Sequence, residues 1–263
     1  MSFDASVAPA LRQTWQVFLR GLRTLLRQPA FLIITIIQPI VWLLLFGALF
    51  RSVSRIPGFH GTYIDFFTPG VVVMLALFGA GWSGMAFVED IANGVMERML
   101  TSPVWRGSLN VGWIIYEAVV IMVQTVLIVL LALILGADFR GGVIGVLLMF
   151  LVGALLACSV ASFSNAVGVL GRRRETVIGI VSFFQLPLTF LSTGMMQRNL
   201  LPGWMQTVSE YNPVNWAVVG ARAAAMQRTD WGVVGTRVAL LLGLAIVAAL
   251  VASRAFARYQ RSL

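Results

Sequence analysis

The chain reads as an all-α polytopic membrane protein, and three observations lead there. Its composition is 59% hydrophobic and 11% charged, with a mean hydropathy of +0.90, against roughly 45–50% apolar and about 25% charged residues in soluble domains. Six stretches approach the about 20 apolar residues that a crossing helix needs: 31–50, 66–88, 111–135, 142–170, 176–194 and 238–253, with Glu117 the only acidic or basic residue inside any of them. The arginines cluster in alternate connections, as they do when one side of a membrane retains positive charge. The apolar runs are spread along all 263 residues, so a single transmembrane domain over 1–263 is expected.

The N-terminal segment 7–28 is amphipathic. Leu11, Trp15, Phe18, Leu22 and Leu25 recur at helical spacing, with Arg12, Gln16, Arg20, Arg23 and Arg27 in a second stripe. A helix lying in the membrane interface with its apolar face down is expected, broken by Arg27-Gln28-Pro29 before the first span. That span follows four arginines with no A-x-A cleavage site, so it is expected to stay as an anchor.

Six spans put both termini on one side. They share it with Arg12, Arg20, Arg23, Arg27, Arg98, Arg106, Arg172, Arg173, Arg174, Arg254, Arg258 and Arg261, so that side is assigned to the cytosol. The opposite side holds Arg51, Arg55, Arg140, Arg198, Arg222, Arg228 and Arg237. Topology thus accounts for the net charge of +9 without a nucleic-acid partner, and membrane lipid with anionic headgroups is the expected partner of the inner arginines. Arg172-Arg173-Arg174 reads most simply as a cytosolic anchor.

Several chemistries are excluded by what is absent. The chain contains no lysine, so it has no phosphate-contacting Lys of a G-x-x-x-x-G-K-[ST] loop. Any ATP hydrolysis must come from another subunit. One cysteine, Cys158, and one histidine, His60, exclude a Cys/His zinc cluster and an H-E-x-x-H site, so no catalytic residue, metal or cofactor is expected on this chain. "GWSG" at 81–84 matches the G-x-S-G of intramembrane serine proteases, but a serine nucleophile needs a base within reach. His60 lies in the opposite connection, about 25 Å from Ser83 along the second span at 1.5 Å per residue. "GAGWSG" is expected to be a small-residue packing face.

The connection after the second span is longer than the about 2–8 residues usual between helices. Ile91, Val95, Met99 and Leu100 fall on one side of a helix, Asn93, Glu97 and Arg98 on others, and Pro103 ends it. A short amphipathic helix over 91–103, presented to the cytosol for docking, is expected. The segment 195–232 is too polar to span and too aromatic for a plain loop; Trp204, Tyr211 and Trp216 suit an interfacial belt, and short helices that enter the outer leaflet and return are expected. Polar side chains mark candidates inside the membrane: Gln38 beside Pro39, Gln185 near Pro187, and Glu117 with Gln124 two turns along the same face. Each reads either as an interhelical hydrogen bond or ion pair, or as part of a substrate path.

"GVMERMLTSPVWR" at 94–106 resembles the coupling segment of type-two ABC exporter permeases. "QPIVWLLLFGALF" at 38–50 resembles that family's first span, "LSTG" at 191–194 followed by "LPGW" at 201–204 its outer connection, and Asn212-Pro213 with Arg222 the close of that connection. Within the family, "DIANGVMERML" and "PGWMQTVSEYNPVNW" are most similar to the daunorubicin-resistance branch, although "GMMQRN" stands where many relatives have Phe and Pro, so the outer gate does not carry over residue by residue. The resemblance implies an export permease in a bacterial plasma membrane, for an amphipathic drug or lipid-like substrate or alternatively a polysaccharide or glycolipid. It implies a homodimer, or a pair with a similar permease, bound to separate ATP-binding subunits that hold ATP and Mg. Glu97, Arg98, Met99, Leu100, Thr101, Pro103, Val104 and Arg106 would dock on that partner. From the outer segment itself, Trp204, Tyr211, Asn212 and Pro213 are candidates to cap the export path, or else to anchor that segment at the interface. An intramembrane enzyme or a passive scaffold is the reading from another class.

The orientation is testable. In a Cys158→Ala background, cysteines at Ser108 and Ser262 should resist an impermeant thiol reagent in intact cells and one at Ser54 should react; labelling at 262 from outside would refute two cytosolic termini.

Overall fold

The computed structural model describes residues 4–27, 29–52, 62–94, 107–225 and 229–260, which form helices joined by turns, with no strand among them. Helix α1 (Asp4–Leu26) leads into α2 (Pro29–Leu49), followed by α3 (Tyr63–Gly81) and α4 (Ser83–Ala92). Then come α5 (Gly107–Ile134), α6 (Gly142–Gly171), α7 (Arg174–Phe190), α8 (Gly203–Tyr211), α9 (Pro213–Ala225) and α10 (Trp231–Gln260). Four segments are long and apolar enough to cross a membrane: Tyr63–Ala92, Val111–Ile134, Gly142–Gly171 and Trp231–Phe256. The other two expected spans are helical as well. Helix α2 has 21 residues and no charge, about 30 Å at 1.5 Å per residue; α7 has 17 residues and stops at Phe190, short of the expected 194, because Ser192, Thr193 and Gly194 form a turn.

Helix α6 is the axis of the bundle, packed by α3, α4, α5, α7, α9 and α10. Close approach is what makes this possible. Gly141 and Gly145 sit against the Ala224 carbonyl of α9, where any side chain would overlap it, and the Gly141 N–H donates to Ala225 O at 3.1 Å. With lipid tails as apolar as leucine, small residues that let backbones meet supply much of the packing between helices. Around this axis Phe67, Val72, Leu77, Ile128, Met149, Leu156, Val218 and Leu241 form the main core.

The N-terminus of α3 is fixed by a capping box: Asp65 N–H donates to Thr62 Oγ1 at 3.2 Å, and Thr62 N–H to Asp65 Oδ2 at 3.0 Å. The second oxygen of Asp65 accepts the Asp138 N–H at 3.0 Å, tying the α5–α6 turn to the same end. Beside it Trp42, Phe46, Phe50, Tyr63 and Phe67 form a run of ring contacts that holds α2 on α3.

The same end carries α8 and α9, as the short helices expected in 195–232. Asn212 caps α9, its Oδ1 accepting the Val214 N–H at 2.9 Å, while its Nδ2 donates to Leu188 O at 2.7 Å and Leu191 O at 3.1 Å. Pro213 follows at the first helical position, where a missing N–H costs nothing. Buried Asn215 accepts from Thr193 N–H at 3.0 Å and from Thr193 Oγ1 at 2.6 Å, and donates to Ser209 O at 2.8 Å. The Arg222 guanidinium lies 3.7 Å above the Phe66 ring and donates to Phe66 O at 3.2 Å and Thr193 O at 3.0 Å.

Helix α1 covers the expected amphipathic segment, and part of it packs on the bundle. Thr14, Val17, Phe18 and Gly21 are its buried face, and it packs on α5, where Gly112 gives Val17 room and Gly21 lies under the Tyr116 ring. Leu11, Trp15 and Leu26 remain exposed beside the basic stripe. At this end Val17, Phe87 and Val169 cluster with Phe256 near the close of α10, so α1 and the C-terminal turns of α10 share one end of the bundle.

Asn215→Ala should lower the unfolding midpoint in detergent by several degrees, corresponding to about 1–3 kcal/mol for buried partners left unpaired. Trp204→Ala, at a side chain 63% exposed, should not change it; equal midpoints for the two variants would contradict this account of the α7–α9 junction.

Candidate functional site

The expected coupling helix 91–103 begins inside a different element. Ile91 and Ala92 close α4, and the chain then turns at Asn93 and Gly94, where Gly94 has φ +64° and its N–H returns to Ile91 O at 3.1 Å. Glu97, Arg98, Met99, Leu100, Thr101, Pro103, Val104 and Arg106 lie outside the described residues, as does His60. What the structure describes is the pair of helices entering and leaving the segment, α4 and α5.

Helix α4 is enclosed by four neighbours. Phe87 meets Phe256 of α10 edge-on at 5.1 Å and packs with Val17 and Val169. Val88 packs with Val177 and Val181 of α7. Two ion pairs flank its last turn: Arg20 of α1 reaches Asp90 at 2.5 Å, and Arg174 of α7 reaches Glu89 at 2.7 Å. Arg20 and Arg174 are thus structural tethers of α4, and Asp90 and Glu89, their partners, were not among the sequence candidates. Their signal was faint: two adjacent carboxylates just after an apolar span, with the arginines 70 and 85 positions away.

The substrate-path candidates surround α3 on separate faces. Gln38 and Pro39 line a cavity of about 80 Å³ with Trp42, Val71, Met74, Leu75 and Phe78. Gln185, only 3% exposed, donates to Leu77 O at 3.0 Å and borders a larger cavity of about 360 Å³ with Phe163, Phe184, Leu188, Val247 and Val251. Glu117 faces α3 at Gly79, next to the small-residue seam of Ala76, Ala80, Ala157 and Ala161. It is 8% exposed and makes no ion pair among the described residues, and Gln124 is buried further along α5. No single cavity described brings these three side chains together.

Of the outer-gate candidates, Trp204 and Tyr211 are exposed, while Asn212 and Pro213 are structural, starting α9 as described above. The G-x-S-G stretch does serve packing. Ser83 is buried and its hydroxyl has no hydrogen-bond partner among the described residues. Gly84 and Gly168 bring α4 and α6 into backbone contact.

Long apolar helices around a small-residue axis, with charged tethers at one end and short capped helices at the other, define a multi-pass membrane protein. Residues 12–226 match the ABC-2 type transporter family, and the chain belongs to it. Among its relatives, the daunorubicin resistance ABC transporter permease protein DrrB1 of Streptomyces coeruleorubidus is 28% identical over 92% of this chain and 83% of its own length. The putative transport permease ycf38 of Cyanophora paradoxa is 30% identical over 73% of this chain and 67% of its own. The probable doxorubicin resistance permease DrrC of Mycobacterium tuberculosis is 26% identical over 84% and 78%.

Glu117 yields a prediction with a sign. A buried carboxylate without a cationic partner is costly in a membrane interior, so Glu117→Gln should hold or raise the thermal midpoint rather than lower it. A fall of several degrees would show that an arginine pairs with Glu117 after all; lost transport at full stability would assign the carboxylate to the substrate path.

Proposed function

We propose that this chain is the membrane-spanning subunit of an ATP-driven exporter, crossing a bacterial plasma membrane six times with both termini in the cytosol. Two copies, or one copy and a similar permease, pair with two separate ATP-binding subunits that supply ATP and Mg. The cargo is an amphipathic drug or lipid-like molecule moved from the cytosol or inner leaflet. The observation that carries this reading is the family match over 12–226, and the drug-resistance relatives support the choice of cargo. The apolar lining of the cavity between α6, α7 and α10 is consistent with such a cargo, and the exposed face of Phe183, Leu186 and Phe190 on α7 is apolar enough to meet a second copy or lipid.

In this reading the segment 91–103 docks in a groove of the ATPase. Glu97 and Arg98 orient it by charge, and Met99, Leu100 and Val104 supply apolar contact. Nucleotide-driven closure of the ATPase then tilts the second and third spans, which flank the segment. Of the path candidates Gln38, Glu117, Gln124 and Gln185, Gln185 borders that apolar cavity and the others lie on different faces of the bundle; Trp204 and Tyr211 sit at the outer mouth.

The test is Leu100→Asp, with Glu97→Ala/Arg98→Ala beside it, made in a chain co-expressed with its ATPase subunit. A charge placed in an apolar docking contact should cost roughly 2–4 kcal/mol, weakening association by about 30- to 1000-fold, while membrane insertion stays intact. Doxorubicin uptake into inside-out vesicles and doxorubicin-stimulated ATP hydrolysis should both fall. Stoichiometric recovery of the ATPase with full stimulated turnover would refute the docking role, and stimulation by a lipid-linked oligosaccharide but not by doxorubicin would move the cargo to the glycan class.

A further inference from the structure

Between α3 and α4 the second span is interrupted, and the interruption is repaired from another helix. In a continuous helix the Gly84 N–H would bond to the Ala80 carbonyl, and the Gly81 carbonyl would accept from Met85. Here Trp82 N–H turns back to Gly79 O at 3.2 Å and Met85 N–H to Trp82 O at 3.0 Å, both over three residues. Ser164 of α6 takes up two of the backbone groups this releases. Its hydroxyl accepts the Gly84 N–H at 3.0 Å and donates to Gly81 O at 2.5 Å. On the α7 side, Gln185 donates to Leu77 O at 3.0 Å, and its amide fills the space beside Gly81 that a side chain there would need.

We infer that Ser164 is a positioning residue: it pins the bend of the second span at Gly81–Gly84 and makes α4 a lever about that bend. The coupling half of this inference rests on the function proposed above. Four features support it. The break is where α4 touches α6 backbone to backbone through Gly84 and Gly168, and the serine hydroxyl bridges it there. The hydroxyl bonds to Gly81 before the break and to Gly84 after it, so it ties both halves of the span to α6. Beyond the bend, α4 has 10 residues, about 15 Å at 1.5 Å per residue, so a turn of about 10° moves its tip by about 2.5 Å. That tip leads into residues 95–106 and carries Asp90 and Glu89, which pass its displacement to α1 and α7 through Arg20 and Arg174.

Ser164→Ala tests the pin in two ways. In the permease alone, spin labels on cysteines at Ala92 and Val143, in a Cys158→Ala background, should give one narrow distance distribution in the parent and a broadened or shifted one in the variant. In the complex with the ATPase, doxorubicin transported per ATP hydrolysed should fall roughly three- to ten-fold, the scale of one buried hydrogen bond, with recovery of the complex unchanged. An unchanged distance distribution overturns the pin, and an altered distribution with unchanged transport per ATP overturns its part in coupling. If the parent chain recovers no ATPase, the proposed function fails by itself and the distance measurement still decides whether Ser164 holds the bend. Should the alanine variant not accumulate, Ser164→Cys, a weaker donor, is read by transport per ATP, and a value equal to the parent's overturns the coupling role.

Discussion

Inside a hydrocarbon layer no water is available to a backbone N–H or C=O, so each interruption of a helix must be answered by the protein itself. That constraint organises this molecule. At Gly81–Gly84 the answer is Ser164, with Gln185 on the facing helix. After α7, where the helix stops at Phe190, the carbonyls of Leu188 and Leu191 are taken by Asn212 and the Thr193 N–H by Asn215. At the α5–α6 turn the Asp138 N–H is taken by Asp65. At the first two of these sites the answering side chains are buried, while Glu117, Gln124 and Asn165 are buried polar side chains inside unbroken helices.

Much of the architecture was legible in the sequence because hydrophobic length is a local property. The positions of α2, α3, α5, α6, α7 and α10 follow from their apolar runs, and the aromatic, half-polar stretch 195–232 correctly signalled short helices. Three things were not legible. The break at 81–84 lies in an uninterrupted apolar run, and its cause sits at Ser164, 80 positions away. The packing of α1 on α5 through Gly112 and Gly21 was not legible, because it depends on glycines that meet only in the fold. The carboxylates Glu89 and Asp90 acquire meaning only when Arg174 and Arg20 are brought to them. Among the candidate site residues, Gln38, Gln185 and Glu117 were identified as polar side chains in apolar spans, but their placement on separate faces of α3 needed the fold.

The two ends of the bundle are built from different interactions, and the difference bears on which end moves. At the α9 end, Asn212, Asn215 and Thr193 make neutral hydrogen bonds in buried surroundings, and Arg222 adds bonds to two carbonyls with its cation over Phe66. Separating such groups leaves unpaired polar atoms, at a cost of about 1–3 kcal/mol each. At the α1 end, α4 is held by the Arg174–Glu89 pair, whose side chains are 55% and 50% exposed, and by the Arg20–Asp90 pair, at 38% and 12%. An exposed pair contributes only about 0–1 kcal/mol and exchanges readily with water. The partly buried Arg20–Asp90 pair is the firmer of the two. Of the polar contacts, those at the tip of α4 are therefore weaker than those of α9, while Phe87, Val88 and the Gly84–Gly168 contact hold the body of α4 on its neighbours.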